Sequence, residues 1–145
     1  MRVATTPAIT EAERLHANCV VCGQNNPRGL GIRFNLAADG SVWGNLRCSD
    51  DLMGYPGRLH GGMVATLLDG AMTHCLFAHG HVGVTARLNV RYHHPILTRE
   101  EITVRGWIEE INITIFATES SLEQGGRVCA TATARFMSQP NLVRH

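Results

Sequence analysis

Apolar residues along the chain predict a sheet of several strands and one long helix. Six segments alternate apolar and polar residues, or are rich in β-branched and aromatic residues, as half-buried strands are. Glycine-containing turn signals at 38–41 and 124–126 predict hairpins. The predicted strands are residues 32–36, 42–48, 84–92, 102–111, 113–122 and 127–137.

Residues 61–78 have a different pattern, because apolar side chains fall on nearly every side of a helix drawn there. A helix that is apolar all round is buried rather than amphipathic. This one is about five turns long and contains Asp69 and His74, which makes it too short and too polar to span a membrane. One buried helix and five or six antiparallel strands predict an α+β fold, with a curved sheet wrapped around the helix.

The length and charge of the chain exclude several classes of protein. Its 145 residues suffice for one domain, which we place at 16–139, between a lead-in at 1–15 and a flexible tail at 140–145. Thr10 is the expected cap of a short helix at 11–17. Thirteen Lys and Arg against twelve Asp and Glu give a net charge of +1, so no nucleic-acid partner is expected.

The compartment is predicted from the start of the chain and from its cysteines. Residues 1–15 contain no continuous apolar stretch, so neither a secretory signal nor a membrane anchor is expected there. The five cysteines are an odd number, and Cys48, Cys75 and Cys129 lie inside apolar patterns. Such cysteines are typical of free thiols in a reducing compartment. We therefore expect a cytoplasmic protein with no membrane partner.

Asp69 stands in the middle of the apolar helix. A carboxylate buried without a partner is costly, so it must be paired, hydrogen-bonded or protonated. A structural role is one explanation, in which Asp69 caps a neighbouring turn or pairs with Arg87 or Arg91. A functional role is the other, because perturbed carboxyl groups are concentrated in active sites.

The helix opens with His60, Gly61 and Gly62. Two adjacent glycines leave backbone N–H groups bare at the positive end of the helix, where a thioester carbonyl or an oxyanion can approach. A tight entry from loop to helix also explains the glycines. Gly61 and Asp69 are eight positions apart, or about 12 Å along the axis. Both can act on one carbonyl only if they come from two subunits, which predicts a site at a two-fold interface.

Three segments resemble one family. Residues 60–69 (HGGMVATLLD) are similar to the signature helix of the hotdog-fold acyl-CoA thioesterases, in particular the group around phenylacetyl-CoA thioesterase. Residues 83–92 (GVTARLNVRY) resemble the strand that follows this helix in the family. The motifs CVVCG and NPRGL within residues 19–30 resemble an N-terminal segment found in many members. The resemblance covers residues 16–137 and implies the hotdog fold.

The resemblance also implies roles for individual residues. The Gly61 N–H would bind the thioester carbonyl, and Asp69 of the partner's helix would act as nucleophile or general base. Thr85 matches a Ser or Thr that positions water in the family. Many relatives carry a side-chain amide in the loop before the helix, which is absent from residues 53–58 here, and His60 is the available substitute. A homodimer, or a homotetramer of two dimers, would hydrolyse acyl-CoA without a cofactor or a metal.

Candidate substrate-binding residues lie in the segments that flank the four candidate catalytic residues. A CoA ester carries phosphates that need cations, and its acyl group needs an apolar wall. Gly62 belongs to the helix start, and an arginine on the next strand is a candidate for the phosphates. The candidates are Gly62, Met53, Tyr55, Arg58 and Arg87.

Three further hypotheses compete with these assignments. His16, Cys19 and Cys22 form an H-x2-C-x2-C cluster, which is similar to part of a zinc site, but it supplies three ligands and a turn with buried cysteine explains it better. A hotdog hydratase or dehydratase would use a catalytic histidine, for which His60 and His74 are candidates. A binding protein for acyl-CoA without turnover would keep the fold but would gain little from Asp69.

Overall fold

The computed structural model describes residues 11–144, and these form one antiparallel sheet packed on a single long helix. The order of strands in the sheet is β1-β2-β4-β5-β6-β3. The predicted α+β fold is therefore confirmed. The elements are α1 (Glu11–Arg14), β1 (Asn35–Leu36), β2 (Val42–Arg47), α2 (Gly61–Ala78), β3 (Gly83–Tyr92), β4 (Glu101–Ile111), β5 (Ile115–Gln124) and β6 (Arg127–Ser138).

Helix α2 forms the centre of the core. Its apolar residues at positions 67, 68, 71, 72, 75 and 76 are completely shielded from solvent. Small residues on the sheet let the helix approach closely: β6 presents Ala130, Ala132 and Ala134, and a Cβ added at Gly106 of β4 would lie 2.7 Å from the backbone of Ala71. Close packing of this kind fixes the position of the apolar helix on the sheet.

A β-bulge in β3 changes which face Thr85 occupies. Thr85 pairs with the buried Phe136 of β6, whereas Arg87 pairs with Arg135, so Ala86 is the extra residue. Simple alternation places Thr85 and Arg87 on the same face, and that expectation is wrong. The bulge turns Thr85 towards α2 and leaves Arg87 on the opposite face of the sheet, because one inserted residue reverses the alternation.

The two edges of the sheet differ in length. Strand β1 has two residues, fewer than the predicted 32–36, because the backbone N–H of Ile32 bonds to Val21 and not to the sheet. Strand β3 has ten residues, of which none is buried. Strand β5 begins two residues later than predicted, at Ile115, and Ile113 is 95% exposed in the turn before it.

Two predictions concern the ends of the chain. Thr10 and the rest of residues 1–10 lie outside the described residues, so the cap at Thr10 stays a prediction. Pro140–Arg144 form a short 3-10 helix at the C-terminal end. Among the helices of residues 11–144, none has the length and apolar character required to cross a membrane.

Candidate active site

The first turn of α2 leaves one backbone donor available. The Nδ1 of His60 accepts a hydrogen bond of 2.9 Å from the Gly62 N–H, and the His60 carbonyl accepts from Met63 and Val64. His60 is thus the N-cap, and its Nδ1 carries no proton. Within residues 11–144, no acceptor is bonded to the Gly61 N–H. This N–H therefore remains free at the positive end of the helix.

Tyr92 fixes the position of Gly61. Its hydroxyl donates a hydrogen bond of 2.6 Å to the Gly61 carbonyl, and its ring lies beside the Gly61 Cα. The Tyr92 side chain is 55% exposed at the end of β3. In the sequence, Tyr92 is only one of the apolar positions of the predicted strand at 84–92. An aromatic side chain with a polar tip on the same strand as Thr85 was the available signal.

Asp69 is held from β3. The Thr85 hydroxyl donates a hydrogen bond of 2.6 Å to Asp69 Oδ1, while Oδ2 has no hydrogen-bond partner among residues 11–144. Burial raises the pKa of Asp69, and the Thr85 hydrogen bond and nearby His16 act in the opposite direction. The carboxyl group therefore takes up a proton at a higher pH than an exposed Asp does. One of its oxygens is oriented by Thr85, and the other is free.

The loop before α2 carries three of the predicted substrate-binding residues. Met53 and Leu59 form an isolated bridge, and Gly54 donates to the Arg58 carbonyl, so the loop is a small hairpin. Tyr55 at its tip is 82% exposed, and the Arg58 side chain is also exposed. The loop lies against the helix start, because a Cβ added at Gly54 would be 3.3 Å from the His60 ring.

Arg87 lies apart from the other predicted residues. It faces away from α2, in a surface depression of about 350 Å³ that it shares with Asn89, Glu109 and Arg135. This depression and a smaller neighbour are both on the outer face of the sheet, and neither is lined by Asp69 or Gly61. Gly61 is exposed and Asp69 is half-buried.

His16, Cys19 and Cys22 come together behind Asp69. Their ligand atoms all lie within 4.8 Å of one another, with 3.5 Å between Cys22 Sγ and His16 Nδ1. Burial, and then the neighbouring Cys19, raise the pKa of the Cys22 thiol to about 12, so this thiol is not a thiolate nucleophile.

His74 is half-buried beside this cluster, and its Nε2 is shielded from solvent. Burial lowers its pKa to about 4, and its ring stacks on Phe34 and contacts Phe77. The imidazole is therefore neutral and is enclosed by aromatic side chains, which is unlike an accessible general acid.

Comparison with known families agrees with this architecture. A model of the thioesterase superfamily matches residues 56–134, which is more than half of the chain and includes α2 and β3. The chain belongs to the thioesterase superfamily. A thioesterase superfamily protein of known crystal structure has 26% sequence identity to this chain. The two structures superpose with a TM-score of 0.81, and the match covers 93% of this chain and 68% of that chain. The expected hotdog fold is confirmed.

Two curated relatives carry a more specific name. Acyl-coenzyme A thioesterase 13 of Homo sapiens is 26% identical over 141 residues, covering 95% of this chain and 96% of the relative. Acyl-coenzyme A thioesterase THEM4 of Rattus norvegicus is 38% identical over 60 residues, or 41% of this chain. The match spans about a quarter of the length of this rat protein and of its mouse counterpart.

Proposed function

We propose that this protein hydrolyses acyl-CoA thioesters to a free acid and CoA, with Asp69 as the catalytic carboxylate. The observation that carries the proposal is the Asp69–Thr85 hydrogen bond of 2.6 Å on the strand that also holds the Gly61 turn through Tyr92. The names of the curated relatives support acyl-CoA as the substrate class.

The reaction adds water to the acyl carbon and breaks the bond between carbon and sulfur. Asp69 acts as general base, taking a proton from the water, or as nucleophile, forming an anhydride that water then opens. Thr85 orients the carboxylate or the water. The Gly61 N–H, aided by the positive end of α2, stabilises the oxyanion, and the CoA thiolate leaves and takes up a proton. His60 offers Nε2–H as a second donor, since its Nδ1 serves as the cap.

The two halves of this site belong to different subunits in our proposal. A long strand with a free edge is a template for pairing, and β3 is such a strand. Antiparallel pairing of β3 with the same strand of a second copy brings the Thr85 end of one beside the Tyr92 end of the other. Asp69 then faces the partner subunit's Gly61, and each homodimer has two equivalent sites. A homotetramer of two such dimers would keep this arrangement.

The substrate contacts follow from the same placement. Met53, Tyr55 and Arg58 stand on the loop beside the helix start, where Tyr55 and Arg58 are exposed and can contact an acyl group or a phosphate. Gly62 keeps the helix start free of side chains. Arg87 faces the outer side of its own sheet, so it can bind a CoA phosphate only where the substrate crosses that side.

The neutral and enclosed state of His74 favours hydrolysis over hydration. A hydratase needs an accessible histidine, which His74 is not, so hydration would have to rest on His60 and its free Nε2 alone. A binding protein without turnover has no need for an oriented carboxylate. A screen of short, long and aromatic acyl-CoAs for thiol release, run beside an enoyl-CoA hydration assay, separates the three functions.

Replacing Asp69 tests the catalytic assignment. Asp69→Asn keeps an oxygen for Thr85 but removes the charge, so turnover should fall by about 10²–10⁴-fold. Thiol release under saturating substrate measures the change, and circular dichroism and size-exclusion chromatography confirm the fold and assembly. Hydrolysis within threefold of the unmodified protein, for every active substrate, would refute the role of Asp69.

Mixed dimers test the shared site. Gly61→Pro removes the N–H at a helix position where proline is well accepted, and Gly61→Ala keeps the N–H as the matched control. Gly61→Pro should lose about 10²–10³-fold in rate. Refolding Asp69→Asn together with Gly61→Pro should restore about a quarter of the activity, because half of the dimers are mixed and each has one intact site. A site within one subunit would show no recovery.

A further inference from the structure

The side chains of His16, Cys19 and Cys22 have no role in the proposed reaction, yet they converge on one point. In a tetrahedral zinc site, bonds of 2.0–2.3 Å place neighbouring ligand atoms about 3.4–3.8 Å apart. Cys22 Sγ and His16 Nδ1 are already separated by 3.5 Å, and all three ligand atoms lie within 4.8 Å of one another. No other group of three metal-ligating side chains within the described residues is as close.

The backbone around Cys19 is arranged as a support for a bound thiolate. The Val21 N–H donates to Cys19 Sγ at 3.3 Å, and a hydrogen bond of this kind stabilises negative charge on a metal-bound sulfur. Gly23 closes the turn by donating to the Cys19 carbonyl, and a Cβ at Gly23 would lie 2.3 Å from the Cys19 backbone. The turn thus accepts only glycine after Cys22.

A buried imidazole nitrogen close to the cluster lacks a partner. The ring centres of His16 and His74 are 6.3 Å apart, and His74 Nε2 has no hydrogen-bond partner among residues 11–144. A buried polar atom without a partner is costly. Buried polar atoms of this kind are commonly satisfied by an ordered water, and a water held by a metal at the cluster is one such partner.

We propose that His16, Cys19 and Cys22 bind one zinc ion, with a water molecule as the fourth ligand. The mixture of imidazole nitrogen and sulfur ligands is the set that zinc prefers in proteins. Both thiols lose a proton on binding, so two protons are released for each ion. The ion would fix the turn at residues 16–23, and Val21 of this turn packs against Gly70, the residue after Asp69.

Metal analysis of the purified protein tests this proposal. Elemental analysis should find about one zinc per chain in the unmodified protein, and in Cys48→Ala, which removes a buried cysteine elsewhere. Cys19→Ser and Cys22→Ser should each lower zinc by at least about tenfold. Full zinc occupancy in both serine variants would overturn the assignment.

A second measurement needs no variant. Protein stripped by a chelator and refilled with cobalt(II) should show the intense visible bands of tetrahedral cobalt, together with absorption from sulfur-to-cobalt charge transfer. Its melting temperature should rise on addition of zinc, because the folded state binds the ion. Absence of zinc and of cobalt binding at micromolar metal, or a Cys19–Cys22 disulfide found by mass, would refute the site.

Discussion

Helix α2 is contacted near Asp69 from two sides that are built in opposite ways. On one side lies β3, which is exposed and reaches Asp69 through a single polar contact from Thr85. On the other side lies the turn at residues 19–23, where a Cβ at Gly70 would be only 2.8 Å from a methyl group of Val21. The packed side holds the helix in place, and the open side leaves a carboxylate oxygen accessible. The proposed catalytic role of Asp69 would need both a fixed position and access for substrate.

The largest effect is expected from the Thr85 hydrogen bond on the open side. Thr85→Val preserves the shape of the side chain but removes the donor to Asp69. A hydrogen bond to a charged group contributes about 1.5–3 kcal/mol, so kcat/KM should fall by about 10–100-fold. Thr85→Ser keeps the hydroxyl and should stay within a few-fold of the unmodified protein.

The pH profile of the same variants shows whether a loss of rate comes from the lost hydrogen bond to Asp69 or from misfolding of the variant. The Thr85 hydrogen bond lowers the pKa of Asp69 against the effect of burial. Activity that needs the carboxylate disappears as the pH falls through that pKa, so Thr85→Val should move the acid limb of kcat/KM to higher pH. A loss of rate with an unchanged acid limb would show that Thr85 does not act through Asp69.

The sequence predicted this site better at the helix than at the strand. Helix bounds at 61–78 follow from glycine at the start and apolar residues on every side, and they match α2. The inserted residue Ala86 could not be predicted, because alternation of side chains carries no mark of a bulge. Only pairing with the distant Phe136 decides that Thr85 faces Asp69.

The meeting of three side chains in the turn on the packed side could not be predicted either, because it too depends on the tertiary structure. The spacing of His16, Cys19 and Cys22 suggested part of a metal site, but local sequence does not say whether a turn brings three side chains together. Their arrangement depends on backbone bonds within residues 13–25 and on contact with α2. The role of Tyr92 likewise depends on a contact across 31 positions of sequence.

The packed side should respond to a change that leaves the open side intact. Gly70→Ala places a methyl group against Val21, and overpacking of this kind destabilises a protein by about 1–3 kcal/mol. Chemical denaturation should report that loss. The double variant Gly70→Ala with Val21→Ala provides space for the methyl group and should recover part of the stability. Equal stability of Gly70→Ala and the unmodified protein would mean that the turn does not press on the helix.

The smallest expected effect is a change in melting temperature caused by the charge of Asp69, which lies between the two sides. Burial raises the pKa of Asp69, so the folded state binds this proton more tightly than the unfolded chain, whose reference value is 3.8. Stability is therefore lost as pH rises from the unfolded value through the folded one, and the loss persists at neutral pH. Asp69→Asn removes it, so the variant should melt at a higher temperature than the unmodified protein at pH 7. Near pH 3 the difference should vanish, at about the point where both states are protonated.

Asp50 supplies a control with the opposite sign. Hydrogen bonds from Thr98 and Arg99 lower the pKa of Asp50, so its charge favours the folded state above the unfolded value and that contribution is lost as the pH falls. Asp50→Asn should therefore melt at a lower temperature than the unmodified protein at pH 7. If both variants shifted the melting temperature in the same direction, the difference would reflect the loss of any negative charge. Opposite shifts would instead show that Asp69 is held at a cost to stability, as a carboxylate kept for chemistry is.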